Sequence, residues 1–175
     1  MGDFWVFGYG SLMWKPGFPF TEEHRAKIHG LHRALCIYSW KHRGTEEKPG
    51  LVFGLDHGGF CQGVAFKVSD ENREEVHAYL RERELITHVY KETWHDIELA
   101  DGRAVNSLVY VVDQDHPQYA GVLSHDEQLR LVSGASGMSG NNKDYVVATV
   151  QQLQTHNVRD EALERLHDAL LAVSK

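Results

Sequence analysis

The strongest constraint in this chain is that its β-patterned runs come in close succession, separated by only a few turn-forming residues. Residues 94–99 and 104–112 flank Ala100-Asp101-Gly102-Arg103, and Asp-Gly supplies the positive φ angles that a tight hairpin turn needs. Residues 51–55 and 63–68 flank Asp56-His57-Gly58-Gly59, which predicts a second hairpin by the same chemistry. A run at 32–39 carries Ala34, Cys36 and Tyr38 on one face and Leu35 and Ile37 on the other, as an interior strand does. Phe4-Trp5-Val6-Phe7 is wholly apolar and is stopped by Gly8, as expected of a strand buried on both faces. The pattern predicts about six strands, most tied by short turns, in a mixed α+β chain. A small β-barrel or strongly twisted sheet with helices around it fits this better than a βαβ alternation.

Helical signals fall between and after the strands. Ser69 is placed to cap a helix reaching about Glu84, with Val76, Tyr79 and Leu80 at i, i+3 and i+4. Ser124-His125-Asp126-Glu127 has the Ser-x-x-Glu capping box, leading a helix that carries Leu129 and Val132. Two amphipathic helices close the chain, one with Val146, Val150 and Leu153, the other with Leu163, Leu166 and Leu170. The stretch 134–142 is too rich in glycine for helix and reads as a loop.

At 175 residues, with no repeat or low-complexity linker, the chain is expected to form one domain over residues 1–175. The net charge of -7 offers no basic surface for nucleic acid or for anionic membranes. No stretch approaches the roughly 20 apolar residues that span a bilayer, and residues 1–7 lack the pattern of a secretory signal. Two cysteines, Cys36 and Cys61, are too few for a disulfide framework and read as buried thiols in a reducing, cytoplasmic setting.

Glu84 is the first candidate for chemistry. Taking Val76 as zero and about 100° per residue, Leu80 falls at roughly 40°, Glu84 at roughly 80° and Glu82 at roughly 240°. Glu84 is therefore expected beside the apolar stripe and Glu82 in solvent. Desolvation and the negative end of the helix both raise the pKa of a carboxylate placed there, which suits a general base or acid near neutral pH. The same geometry also suits a structural ion pair with Arg43, Arg81 or Arg83.

Phe7-Gly8-Tyr9-Gly10-Ser11-Leu12 is the second candidate. A buried strand breaks there into a loop whose glycines leave amides uncovered, and such a turn suits a carboxylate or phosphate. It lacks the third Gly of a dinucleotide fingerprint and the Gly-Lys-Ser/Thr of a P-loop, and it also serves as a plain tight turn. The 12 histidines form no metal-ligand spacing: His29 and His32 lie in a segment read as loop into strand, where they point to opposite faces. Ser11 is not in a Gly-x-Ser-x-Gly elbow, so a serine hydrolase has no local support. No metal site is expected.

Five stretches, in order along the chain, carry a likeness that single motifs do not. They are Phe7-Gly8-Tyr9-Gly10-Ser11-Leu12, His42-Arg43-Gly44, Pro49-Gly50, Tyr79-Leu80-Arg81-Glu82-Arg83-Glu84, and Gly137-Met138-Ser139-Gly140-Asn141 continuing to Tyr145. Together they closely resemble the ChaC family of γ-glutamylcyclotransferases, over residues 4–170. The resemblance implies a γ-glutamylcyclotransferase-like fold on a small β-barrel. It implies an enzyme that needs no cofactor and converts glutathione, a small-molecule substrate, to 5-oxoproline and cysteinylglycine. It places the proton acceptor on Glu84 and the γ-glutamyl site on Tyr9, Gly10, Ser11 and Leu12, with Val6, Phe7 and Gly8 leading into it. Arg43 is then a candidate for the glycyl carboxylate and Tyr145 for a pocket hydroxyl, each equally suited to a structural role. Short animal members follow the glutamate with Gly-Gly-Tyr. This chain has Leu85-Ile86-Thr87-His88-Val89-Tyr90, similar to the bacterial branch, so the wall beside the carboxylate is expected to differ. The competing readings are a cyclotransferase for other γ-glutamyl amino acids or amines, an acyl or aminoacyl transferase acting on an external amine, and a non-enzymatic regulatory or binding module.

Overall fold

The computed structural model describes residues 4–85 and 88–173. Five strands close a barrel: β1 (Phe4–Gly8), β2 (Glu22–Ser39), β3 (Gly50–Val68), β4 (Tyr90–Leu99) and β5 (Ala104–Val112), in the order β1-β3-β2-β4-β5. β1 is buried along its whole length, as its uninterrupted apolar run requires. It pairs antiparallel with β3, from Phe4 opposite Val68 to Gly8 opposite Val64, and parallel with β5 through Trp5 and Val6. Fully burying each large side chain of this strand contributes about 1.5–3 kcal/mol, so β1 anchors the barrel.

The hairpin expected at Asp101-Gly102 forms, with Glu98 opposite Ala104 and Gly102 at φ 95°. The hairpin expected at residues 56–59 does not. β3 runs through that stretch without turning, and Gly58 and Gly59, at φ 106° and 66°, bend the strand instead of reversing it. Positive φ serves a bulge as well as a turn. β2 likewise begins ten residues before the expected run. Only Ala26 and Ile28 are buried among residues 22–29, too few to announce a strand. The barrel holds five strands, close to the number expected, of which β2 and β3 run to 18 and 19 residues.

The helix expected from Ser69 is also shifted. Residues Asp70–Asn72 form a single 3₁₀ turn, the Ser69 side chain makes no capping bond, and α1 spans Arg73–Glu84. Val76 and Leu80 bury one face of α1, as its periodicity demands.

The chain divides into two compact units, one of residues 1–34 and 54–116, the other of 35–53 and 117–175. The first holds β1, β4, β5, α1 and the greater part of β2 and β3. The second is built around three helices, α2 (His125–Gly134), α3 (Asn142–Thr155) and α4 (Glu161–Ala172), which bury Val132, Val146, Val150, Leu153, Leu163, Leu166 and Leu170. Ser124 caps α2 through the Glu127 amide at 3.2 Å, as the capping box predicts. The glycine-rich stretch expected as a loop contains two short paired strands, β6 (Ser136–Gly137) and β7 (Gly140–Asn141). No helix among the described residues is long and apolar enough to cross a membrane.

Candidate active site

In the barrel unit, β1 ends at Gly8 and the chain folds back at once. A Cβ on Gly8 would lie 2.9 Å from Leu12 Cβ, so glycine is required for the return, whereas a Cβ on Gly10 would meet nothing within 4 Å. Tyr9 is buried, and residues 11–13 form a 3₁₀ turn closed by the Met13 amide on Gly10 O at 2.9 Å. The first amides of such a turn have no acceptor within it. Val6 and Phe7 are fully buried in β1, so they support this loop from behind.

Two arginines hold the loop. Arg33, buried in β2, donates from Nε to Tyr9 O at 2.7 Å and from Nη2 to Gln62 O at 2.7 Å. Arg83, in the last turn of α1, donates from Nη2 to Ser11 Oγ at 2.9 Å and from Nη1 to Lys15 O at 2.8 Å, Pro16 O at 3.2 Å and Tyr79 Oη at 3.1 Å. Sequence alone assigns neither arginine to the loop: Arg33 shows there only as a charge inside an interior strand, and Arg83 only as an ion-pair partner for Glu84.

Arg83 is also the partner of Glu84. Its Nε lies 3.5 Å from Glu84 Oε1, and the Glu84 side chain is only 17% exposed. Burial raises the Glu84 pKa above the ordinary carboxylate value, and the Arg83 charge opposes that rise without cancelling it. Glu82, two residues earlier, is exposed, as the helical phase predicts. The alternative partners fall differently: Arg81 forms a two-pronged pair with Glu92, at 3.0 Å from both Nε and Nη2.

Glu92, on β4, is a second, partly buried carboxylate centre. It also accepts from His77 Nε2 at 2.8 Å and from Tyr110 Oη at 3.2 Å. Arg81 chiefly, with His77, holds its carboxyl down at about 2 despite partial burial. Burial first, then the Glu92 and Glu84 charges, push the Tyr110 phenol well above its ordinary value, so it stays neutral beside them.

Arg43 and Tyr145 lie in the second unit and are brought together there. The Arg43 guanidinium stacks 5.2 Å from the Tyr145 ring centre and donates to Asn141 O at 3.3 Å. Tyr145 Oη accepts the Phe53 amide at 3.1 Å. Beneath them, buried Asn142 exchanges two 2.8 Å bonds with the Leu51 peptide, and the β6–β7 turn is tied to Lys41 O and His42 O by the Met138 and Ser139 amides.

Cys36 and Cys61 are buried thiols, neither in a disulfide. His29 and His32 both lie in β2, where His29 faces Glu98 and His32 bonds Gly58 O. Among the described residues no group of three or more His, Cys, Asp or Glu side chains is placed to hold a metal. Ile86 and Thr87, part of the segment that departs from Gly-Gly-Tyr, lie outside the described residues.

A solved glutathione-specific γ-glutamylcyclotransferase from yeast superposes with a TM-score of 0.85 at 24% identity, covering 99% of this chain and 100% of that one. The architecture is thus that of the γ-glutamylcyclotransferases. The profile of the ChaC-like protein family matches residues 4–173, and the chain belongs to that family. Among curated relatives, the glutathione-specific γ-glutamylcyclotransferase of Escherichia coli K12 is 38% identical over 174 residues, covering 99% of this chain and 74% of the relative. Glutathione-specific γ-glutamylcyclotransferase 1 of Danio rerio is 34% identical over 174 residues, covering 96% of this chain and 89% of the relative.

Proposed function

We propose that this chain is a glutathione-specific γ-glutamylcyclotransferase, releasing 5-oxoproline and cysteinylglycine with no cofactor. The observation that carries the reading is a desolvated carboxylate, Glu84, joined by a single arginine to the glycine loop at residues 8–12. Full-length family membership and the names of the relatives support it.

The chemistry follows from the substrate. Its α-amine is largely protonated at neutral pH and cannot attack until it loses a proton. Glu84, with a raised pKa, takes that proton and later passes it to the departing amide nitrogen. The amine then attacks the γ-carbonyl of the same molecule and closes a five-membered ring. The enzyme's main task is to hold nitrogen and carbon about 3–3.5 Å apart. The amides of the Tyr9–Leu12 loop are assigned to the α-carboxylate or to the oxyanion growing on the γ-carbonyl, with Val6, Phe7 and Gly8 fixing the loop's origin. Arg43, stacked on Tyr145 in the helical unit, offers a guanidinium fork that matches a planar carboxylate such as the glycyl end of glutathione. A cytoplasmic setting fits two buried thiols that form no disulfide.

The test is mass detection of 5-oxoproline from glutathione and, in parallel, from γ-glutamyl-alanine. Release from glutathione at least tenfold faster supports the reading. Faster release from γ-glutamyl-alanine moves the chain to the other γ-glutamyl substrates, a joined product without 5-oxoproline makes it a transferase, and no product at all leaves only a binding module.

A further inference from the structure

We propose that Arg83 is a positioning residue for the cyclisation, tying the glycine loop and Glu84 into one rigid unit through the two sides of a single guanidinium. This rests on the functional reading above and adds a residue to it. The geometry is unusual for a helix-terminal arginine, which ordinarily reaches solvent. Nη2 holds the Ser11 hydroxyl, Nη1 holds the Lys15 and Pro16 carbonyls that follow the loop, and Nε faces Glu84. Arg33 grips the same loop from inside the barrel through Tyr9 O, so the stretch from Tyr9 to Pro16 is fixed from two directions. Arg83 contacts both the loop and the carboxylate. Its Tyr79 contact adds a hold on its own helix one turn earlier, and Tyr79 closes over Gly17, where a Cβ would meet the phenol oxygen.

Two consequences separate this role from simple structural support. The fork sets the distance between loop and base, and a misplacement of about 1 Å in such an arrangement costs on the order of 10² in rate. The charge also keeps Glu84 more acidic than burial alone would leave it. Arg83 acts on Glu84 directly, and Tyr110 on β5 feels Glu84 together with Glu92 and Arg81, Glu92 being bonded in turn by His77. Of these Arg83 is the cation in contact with the carboxylate, so its removal lets the Glu84 pKa rise further. Because the base must be ionised to accept the amine proton, the acid limb of the rate profile then moves to higher pH.

The experiment measures kcat, KM and the pH dependence of kcat/KM for glutathione in the wild type, Arg83→Gln, Arg83→Lys and Ser11→Ala, with melting temperatures alongside. Arg83→Gln is expected to lower kcat by about 10- to 100-fold and to shift the acid limb upward. Arg83→Lys, which keeps the charge and loses the fork, should leave the limb in place while kcat falls. Ser11→Ala, which cuts one tie without touching the charge, should raise KM with an unmoved limb. Wild-type kinetics in Arg83→Gln overturn the inference. So do equal rate losses in Gln and Lys variants with an unmoved limb and matching losses of melting temperature. If the Gln variant fails to fold, the Lys and Ser11→Ala variants decide, and unchanged kinetics in both overturn it. A wild type that releases no 5-oxoproline sinks the functional reading itself, and this inference with it, and so is told apart from a failure of Arg83 alone.

Discussion

Glu84 sits where two opposing effects meet: burial raises its pKa, and the neighbouring Arg83 charge draws it back. The outcome is a carboxylate that ionises late and protonates readily, as a group that must carry a proton both ways requires. Glu84→Gln keeps the shape and removes the base, so turnover of glutathione should fall by about 10²–10⁴ while the fold persists. Steady-state kinetics check this, and Glu82→Gln, on the solvent side of the same helix, should stay within tenfold of wild type. A large loss at Glu82 would assign the proton transfer to the wrong carboxylate. The inward setting of Glu84 was legible because Val76 and Leu80 fix the helical phase from sequence alone. The hold on the loop was not, because Arg83 and Ser11 lie 72 positions apart and only the fold brings them together.

At the scale of elements, α1 is bound to the barrel by charge as well as by Val76 and Leu80. His77 and Arg81, one turn apart on α1, both converge on Glu92 of β4, and Tyr110, directly across the β4–β5 ladder from Glu92, completes the cluster. Replacing Glu92 by Gln leaves a neutral acceptor between a guanidinium and a phenol. Hydrogen bonds to charged groups are worth about 1.5–3 kcal/mol, so Glu92→Gln should lower unfolding free energy by about that amount in urea titrations. A loss below about 0.5 kcal/mol would mean that apolar packing alone holds the helix. The strands show why element boundaries were less legible than element types. Asp101-Gly102 and Asp56-His57-Gly58-Gly59 look alike as sequence, but the first closes a continuous ladder from Tyr90–Val112 to Glu98–Ala104, whereas β3 continues for nine residues beyond Gly59. His32 Nδ1 meets Gly58 O across the bend, so the glycines give curvature rather than reversal. In the same way, the mostly polar start of β2 hides a strand whose outer face is meant for water.

For the whole molecule, the negative net charge conceals a strongly paired surface, and its acid response follows from the pairs. Arg103 chiefly, with His24 and Lys67, brings Glu22 down to about 2 from 4.5, and Arg81 does the same for Glu92. Asp101, Asp113 and Glu164 are also lowered, by Arg103, by the Asp115 amide and by Arg159 respectively. A carboxyl whose folded pKa lies below its unfolded value gives stability that is complete above about 4.5 and is lost as pH falls toward 2. Glu84 has the opposite sign. Its folded pKa is raised, so between 4.5 and that raised value the folded state holds more protons than the unfolded one, and stability declines as pH rises through the window. The melting temperature should therefore climb steeply from pH 2 to about 4.5 and then turn downward as Glu84 ionises in the folded state. Glu84→Gln removes only the second effect. It should melt higher than wild type at pH 7, by about 2–4 °C for each kcal/mol relieved in a chain of this size. Below about pH 4.5, where Glu84 is protonated in both states, the two curves should merge. Calorimetry from pH 2 to 8 on both proteins reads this directly. A constant offset at every pH would assign the gain to packing instead of to the buried charge, and no offset at all would mean that Glu84 ionises as freely in the fold as in the open chain.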